Sequence, residues 1–384
     1  MKNLKFTNEA DLTANEIYDF LKFESRYEVL DENGNLVETE DSLFENLLKN
    51  LAIIDKFVSD VLASAEPAYK ITDFYVYRKQ LKFPKRHVEK RPLAKYFNKV
   101  INLANQLLPD YEYSHNVELF AKCYLDLDIG NELFINPLAI SSWPKIKSYE
   151  LFNDFIGLIR FESKSTEFRE KVRNWHYNSN RNYAAAVEFV KQLFVRRLMV
   201  LRVDLYYHPD YASDVTPEEA KKDLARFLYN LRRNKELSDH LEGYIWKWEY
   251  GYKKKMHCHM LFFYDGSKVW HDAYWAYRLG AYWCEVITNG RGKFYNGNEK
   301  KNKAKYERNG LLGIGMISRI HDDPEKDTGK VMRDILINRI LKYILKADQV
   351  LLAKSLGSAT FRIFGKGRGY NHKLSSYVDG DESL

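Results

Sequence analysis

EGYIWKWEYGYKKKMHCHMLFFYDG, Glu242–Gly266, holds two aromatic-rich apolar runs around a lysine-rich centre. Each run has the composition of a strand, and Tyr252-Lys253-Lys254 reads as the turn of a hairpin. Side chains alternate faces along a strand, so His257, His259, Leu261 and Phe263 share one face, and Cys258, Met260 and Phe262 the other. Two imidazoles at i and i+2 are close enough to grip one metal ion. With the turn centred on Lys253, Glu249 falls opposite His257, and directly opposed residues point to the same face. The result is a two-histidine, one-carboxylate set with coordination positions left for a substrate oxygen. A lone His-x-His pair arises often by chance, and the facing Glu249 is what sets this one apart.

The elements around the hairpin predict an α+β fold, an antiparallel sheet with helices packed on one face. RRLMVLRVDLYY (Arg196–Tyr207) reads as a strand. TPEEAKKDLARFLYNLRRN (Thr216–Asn234) reads as a helix with Thr216 as N-cap and Pro217 at its first position. Asp272–Gly290 is a helix, 291–309 a polar lysine-rich insertion, Leu311–Ile320 a strand, Lys330–Gly357 one long helix and Thr360–Gly365 a last short strand. Residues 1–190 read as mainly helical, with helices over Asp41–Pro67 and Arg91–Asp110 and near Asn182–Arg197. Between the first two, YRKQLKFPKRHVEKR (Tyr77–Arg91) is basic with interleaved aromatics, either a solvated face or a nucleic-acid contact. Two domains are expected, 1–190 and 191–384.

The 384 residues carry a formal net charge of +7 that is unevenly spread. Residues 191–384 hold 35 Lys+Arg against 24 Asp+Glu, and residues 1–190 hold 25 against 29. A basic C-terminal half suits a polyanion such as nucleic acid, or is an ordinary solvated surface. No segment reaches the roughly 18 unbroken apolar residues of a membrane span, so no membrane partner is expected. MKNLKFTNEADL is too polar for a signal peptide. The three cysteines, Cys123, Cys258 and Cys284, form neither a disulfide framework nor a zinc-ribbon spacing. These features predict a soluble intracellular protein with reduced thiols.

Downstream of the hairpin, LKYILKADQ places Tyr343 and Lys346 three residues apart, on one helical face. A His-hydrophobic-His strand, here His257-Cys258-His259, followed by a helix with Tyr343-Ile344-Leu345-Lys346, resembles the HUH endonucleases, the rolling-circle replication initiators and relaxases. More closely, VLRVDLYY, LEGYIWKWEYG, HCHMLFFYDGSKV, YWCEVITNGRGKFYN, GIGMI, LKYILKADQ and FRIFGKGRG resemble the inovirus-type replication proteins, relatives of the filamentous-phage gene II initiator. The likeness covers about residues 195–370, and none of it reaches 1–190.

The resemblance implies an RRM-like sheet and a nicking endonuclease of a bacterial host cytoplasm. It implies that Tyr343 attacks a phosphodiester of single-stranded origin DNA, leaving a 5′-phosphotyrosine and a 3′-OH that primes replication, with the host replication machinery as a further partner. Lys346 favours the phenolate or holds a DNA phosphate. His257 and His259 hold Mg²⁺ or Mn²⁺ with Glu249. Asp204 is the alternative third ligand or a partner of one, and an Arg202–Asp204 ion pair that merely orders the strand is the plainer reading. Some relatives carry two tyrosines on this helix, whereas position 347 here is Ala347. Lys253, Lys254, Lys255, Lys366 and Arg368 are read either as strand-binding or as solvated loop positions. A DNA binder without catalysis and a phosphoesterase that uses water are the competing functions.

Overall fold

Helix-forming runs fill much of the first 180 residues, and the strands of the largest sheet all lie from 198 on. The computed structural model divides along the same line, into Thr13–Asn178 with Ala347–Leu352, and Ser179–Lys346 with Ala353 onward. The described residues are 18, 21, 27–30, 36–39, 42–78, 81–129, 134–141, 145–251, 254–308, 313–346, 351–356 and 362–369. No described helix is long and apolar enough to cross a membrane.

In the first unit a small hairpin pairs β1 (Tyr27–Leu30) with β2 (Leu36–Thr39). Helix α1 (Ser42–Leu62) then buries Leu47, Leu48, Leu51, Ile54, Phe57, Val58 and Val61, a three- and four-residue spacing that makes one apolar stripe. Strands β3 (Tyr69–Arg78) and β4 (Leu81–Lys90) form a two-stranded ribbon. The short strand β5 (Tyr111–Tyr113) precedes α2 (His115–Asp126), and α3 (Ser148–Glu162) comes next. Phe57 of α1 centres this core, 6.1 Å from Phe120 of α2 and 5.9 Å and 6.1 Å from Phe152 and Phe155 of α3.

The helix expected over 91–110 is instead two 3₁₀ segments, Pro92–Tyr96 and Ile101–Gln106. Asn98, Asn102 and Asn105, with the β-branched pair Val100-Ile101, weaken a continuous α-helix there. Burial of Leu93, Tyr96, Phe97, Val100, Ile101 and Leu103 is met by short turns.

The second unit begins within α4 (Thr166–Leu193), at Ser179. The residue-190 boundary read from the sequence therefore falls inside a helix. Its sheet runs Gly315–Ile317, Leu198–Tyr207, Lys255–Asp265, Leu241–Gly251, Phe364–Arg368, with Gly292–Asn296 on the same edge of Leu198–Tyr207 as Gly315–Ile317, and every pairing is antiparallel. In chain order, β6 (Leu198–Tyr207) leads to α5 (Pro217–Arg233), whose Thr216–Glu219 capping box satisfies its first turn. The hairpin of β7 (Leu241–Gly251) and β8 (Lys255–Asp265) is next in the chain. Helix α6 (Asp272–Tyr282) ends in a π turn, Trp283–Ile287. The polar insertion proves to be structured: β9 (Gly292–Asn296) pairs with Val203–Tyr207, and α7 (Lys300–Arg308) comes after it. Strand β10 is Gly315–Ile317.

The long helix is α8 (Lys330–Ile335), a π turn over Leu336–Leu341 and α9 (Lys342–Lys346). It does not run to Gly357, since Leu351–Ala353 (β11) is extended. β12 is Phe364–Arg368, shifted from the expected Thr360–Gly365 because Phe364 to Arg368 are the residues that pair with β7.

One sheet face carries Leu201, Val203, Leu205, Tyr207, Cys258, Met260, Phe262 and Tyr264, and α5 and α6 cover it. Phe227 of α5 lies 6.2 Å from Phe262 and 6.1 Å from Trp283, and Tyr207 donates to Asp223 at 3.0 Å. The other face receives Phe189 of α4, 6.4 Å from Phe263. Gly243 makes that contact fit: a Cβ there would come within 2.6 Å of the Phe189 ring. Ser179 and Tyr183 of α4 donate to the carbonyls of Leu345 (3.2 Å) and Ile337 (3.3 Å), which anchors the tyrosine-bearing helix beside α4.

Candidate metal centre

The second face also carries the charged groups. The register sets Lys247, His259 and Asp204 in one row across β7, β8 and β6, and Glu249, His257 and Tyr206 in the next. Gly251 pairs with Lys255, so the hairpin is centred where the sequence placed it and Glu249 faces His257. Glu249, His257 and His259 bring ligand atoms within 4.8 Å of one another. Glu249 Oε2 lies 3.2 Å from His259 Nε2 and 3.7 Å from His257 Nε2. Two donors bound at ~2.1 Å to one ion stand roughly 3–4 Å apart, so the spacing fits.

The remaining ring nitrogens are held. His259 Nδ1 is 2.8 Å from Asp204 Oδ1, and His257 Nδ1 is 3.0 Å from the Lys255 carbonyl oxygen. Lys255 has a left-handed backbone, φ 50°, at the point where its carbonyl meets the imidazole. An acceptor at each Nδ1 turns both Nε2 atoms toward Glu249, the arrangement found around metal-ligating histidines. Two buried atoms at the centre lack a hydrogen bond among the described residues, Glu249 Oε1 and His259 Nε2. His259 Nε2 is at ion-pair distance from Glu249 without hydrogen-bond alignment. Unsatisfied buried groups cost free energy unless something binds them, and a cation between these atoms would. The donor set therefore fits a divalent ion.

The geometry separates the two carboxylates. Glu249 stands on the Nε2 side of both rings and Asp204 on the Nδ1 side of His259, behind the ring as seen from Glu249. Asp204 also takes a two-pronged contact from Arg202, Nε and Nη2 each at 3.1 Å. The Arg202 guanidinium lies 5.4 Å from the centre of the Tyr306 ring. Its backbone is stitched by the NGN turn after β9: Asn298 accepts from Arg202 N at 2.8 Å, and Gly297 N donates to Arg202 O at 2.9 Å. Burial works to raise Asp204's pKa, but Arg202 and His259 outweigh it and hold the carboxyl ionised. Burial likewise opposes ionisation of Glu249, and the two histidines overcome it and lower its pKa. His259 is pushed the other way. Burial would lower it, but Asp204 and Glu249 flank it and raise it to about 10.

Tyr343 lies on α9 in the same unit and is 2% exposed, with its hydroxyl closed off from solvent. The helix reaches it through the π turn, which adds a residue to the turn and rotates α9 relative to α8. Lys253 and the Lys346 side chain lie outside the described residues. Lys254 and Lys255 flank the hairpin turn, over the Tyr206 and Tyr250 rings at 6.0 Å and 5.6 Å. Lys366 and Arg368, exposed on edge strand β12, both lean on the Phe189 ring at 5.4 Å.

The sequence reading missed Lys247, which is 1% exposed and directly opposite His259. The signal was there, since Lys247 is two residues before Glu249 on the same strand and must share its face. No protein-family model, curated protein or solved structure matches the chain.

Proposed function

We propose that the second unit is a metal-dependent DNA-nicking endonuclease of the HUH type, built on an RRM-like sheet, and that Tyr343 is its nucleophile. One observation carries this reading. His257 and His259 present Nε2 to Glu249 while each Nδ1 is held from behind, on a sheet whose downstream helix bears Tyr343-Ile344-Leu345-Lys346.

Mg²⁺ or Mn²⁺ held by His257, His259 and Glu249 would polarise a phosphate oxygen and stabilise charge as the phosphorus is attacked. Asp204 and the Lys255 carbonyl keep the two rings in the ligating tautomer. Arg202 keeps Asp204 charged. Tyr343 Oη forms a bond to phosphorus as the bond to the 3′-oxygen breaks. The proton lost by the phenol balances the one gained by the departing 3′-hydroxyl. The phosphotyrosine keeps an ester bond, so the strand can be rejoined. Lys254, Lys255, Lys366 and Arg368 offer cations to the backbone of single-stranded origin DNA.

A second reading rests on the closed environment of the Tyr343 hydroxyl. If that group stays enclosed when DNA is bound, water is the nucleophile and the protein is a phosphoesterase. Tiled single-stranded oligonucleotides covering the coding gene and its flanks, incubated with Mg²⁺ or Mn²⁺, test both. The proposal expects cleavage that EDTA abolishes and that His257→Ala with His259→Ala abolishes, with a 3′-label retained on the protein. Cleavage that leaves both fragments free favours water. No cleavage of any oligonucleotide counts against an enzyme.

A further inference from the structure

The β3–β4 ribbon is built unlike the rest of its unit. Ten residue pairs hold it together, from Tyr69 opposite Lys90 to Arg78 opposite Leu81, and no third strand joins it among the described residues. Its root is fastened to α3. Asn153 accepts from Tyr69 N at 3.0 Å and donates to Tyr69 O at 2.7 Å, and Arg86 reaches Glu150 at 3.2 Å. Beyond the root the described side chains are exposed on both faces. Ile71, Phe74 and Tyr75 are 37%, 42% and 57% exposed. Ile71 and Tyr75 on one face and Phe74 on the other have no core to explain them.

Its charge sets it apart further. Tyr69–Arg91 holds eight Lys+Arg and two Asp+Glu, while the rest of residues 1–190 holds 17 against 27. The ribbon is thus strongly basic within a half that is otherwise acidic overall. Arg86 is neutralised by Asp73 at 2.8 Å. Lys70, Lys82, Lys85 and Lys90 have no carboxylate partner among the described residues. Lys82 lies 3.8 Å over the Tyr75 ring, an aromatic–cation pair on the surface.

We propose that this ribbon is a duplex-DNA-binding arm that lies in the major groove, with its lysines on the flanking phosphates. The proposal stands on the ribbon alone and does not depend on the metal site. B-DNA's major groove, about 12 Å wide, admits a two-stranded ribbon. The five pairs beyond the Arg86–Glu150 contact, Phe74–Lys85 to Arg78–Leu81, span ~17 Å, about half a turn of B-DNA at about 34 Å. Thr72 and His87 are paired across the strands and supply polar groups that can meet base edges. A-form RNA has a major groove too deep and narrow for such an arm. Edge-to-edge pairing with a second copy is disfavoured, since Pro84 removes a strand donor and lysines line the edges.

The test measures binding of the full chain, in EDTA, to a fluorescein-labelled duplex DNA pool of random sequence. The same oligonucleotides single-stranded, a duplex RNA and phosphatidylserine-containing vesicles serve as comparison probes. The variants are Lys82→Gln with Lys85→Gln, and Lys82→Glu with Lys85→Glu, each checked by thermal melting. Both lysines are exposed, and if the charge-reversed pair fails to fold the glutamine pair decides. Losing two phosphate contacts should cut the slope of log K against log salt by about 1.8, which at 0.1 M salt is roughly a 60-fold loss of duplex affinity. The proposal expects that loss in duplex DNA and little change with single strands. Unchanged duplex affinity overturns it. So does equal binding of duplex RNA, a loss confined to vesicle binding, or a loss of self-association in place of DNA binding.

Discussion

Replacing Asp204 with Asn separates orientation of a metal ligand from simple packing. The carboxylate accepts from Arg202 at two atoms and from His259 Nδ1 at 2.8 Å, so all three of these donors need an acceptor. An amide offers one acceptor oxygen and one donor nitrogen of nearly the same shape. With the amide oxygen in the Oδ1 position the NH₂ group faces Arg202 Nη2, and His259 Nδ1 keeps only a neutral acceptor in place of a carboxylate, which holds its Nε2 toward Glu249 less firmly. Loss of a partner that orients a ligand typically weakens metal binding 10- to 100-fold, which is about 1.4–2.7 kcal/mol. Fold stability falls as well, because a hydrogen bond to a charged group contributes about 1.5–3 kcal/mol. Titrating Mn²⁺ into the free protein, tracked by electron paramagnetic resonance or calorimetry, reads the first effect, and thermal melting the second. Arg202→Lys, which keeps Asp204 as acceptor, should lower the melting temperature while leaving more of the Mn²⁺ affinity intact. If Asp204→Asn melts early but binds Mn²⁺ with unchanged affinity, Asp204 is only a packing residue and the orientation argument fails.

Mn²⁺ at 100 times its dissociation constant should stabilise the wild type by about 2.7 kcal/mol, and His257→Ala with His259→Ala should erase that rise in melting temperature. Gly243→Ala should destabilise by roughly 1–3 kcal/mol in a denaturant titration, because its Cβ would meet Phe189 at 2.6 Å and the Gly367 carbonyl at 3.0 Å. His115 is held neutral in the folded state, its pKa lowered to about 4 by burial and then by His176. Stability from this group is therefore full above pH ~6.5 and falls as the pH drops toward 4, by on the order of 3 kcal/mol, and in His115→Phe that slope should flatten in melts run across this range.

The hairpin is legible in the sequence because its signals are local. Alternation fixes which residues share a face, and the lysine-rich turn fixes the register, so Glu249, His257 and His259 can be brought together on paper. The same reasoning leaves Asp204 undecided, because its role depends on which edge of the His259 ring it meets, and that is set by the pairing of β6 with β8. Periodicity also does not show that the Tyr343 helix passes through a π turn, since an extra residue in one turn leaves the apolar spacing nearly intact. The insertion after Gly290 looks featureless because Asn298, not a run of apolar residues, ties β9 and α7 to β6. The β3–β4 ribbon escapes the strand reading for the opposite reason. With both faces exposed, it shows no buried-and-exposed alternation to detect.

Nicking by the HUH mechanism requires that Tyr343 become joined to DNA. Mass spectrometry of the protein after reaction with a cleaved single-stranded oligonucleotide and Mn²⁺, with the wild type and Tyr343→Phe run side by side, reads that bond itself. The wild type should gain the mass of the fragment downstream of the cut, on the peptide containing Tyr343, and Tyr343→Phe should bind the oligonucleotide but gain nothing. An adduct on any other residue, an adduct that persists in Tyr343→Phe, or cleavage by the wild type with no gain in mass would refute the assignment of Tyr343 as nucleophile.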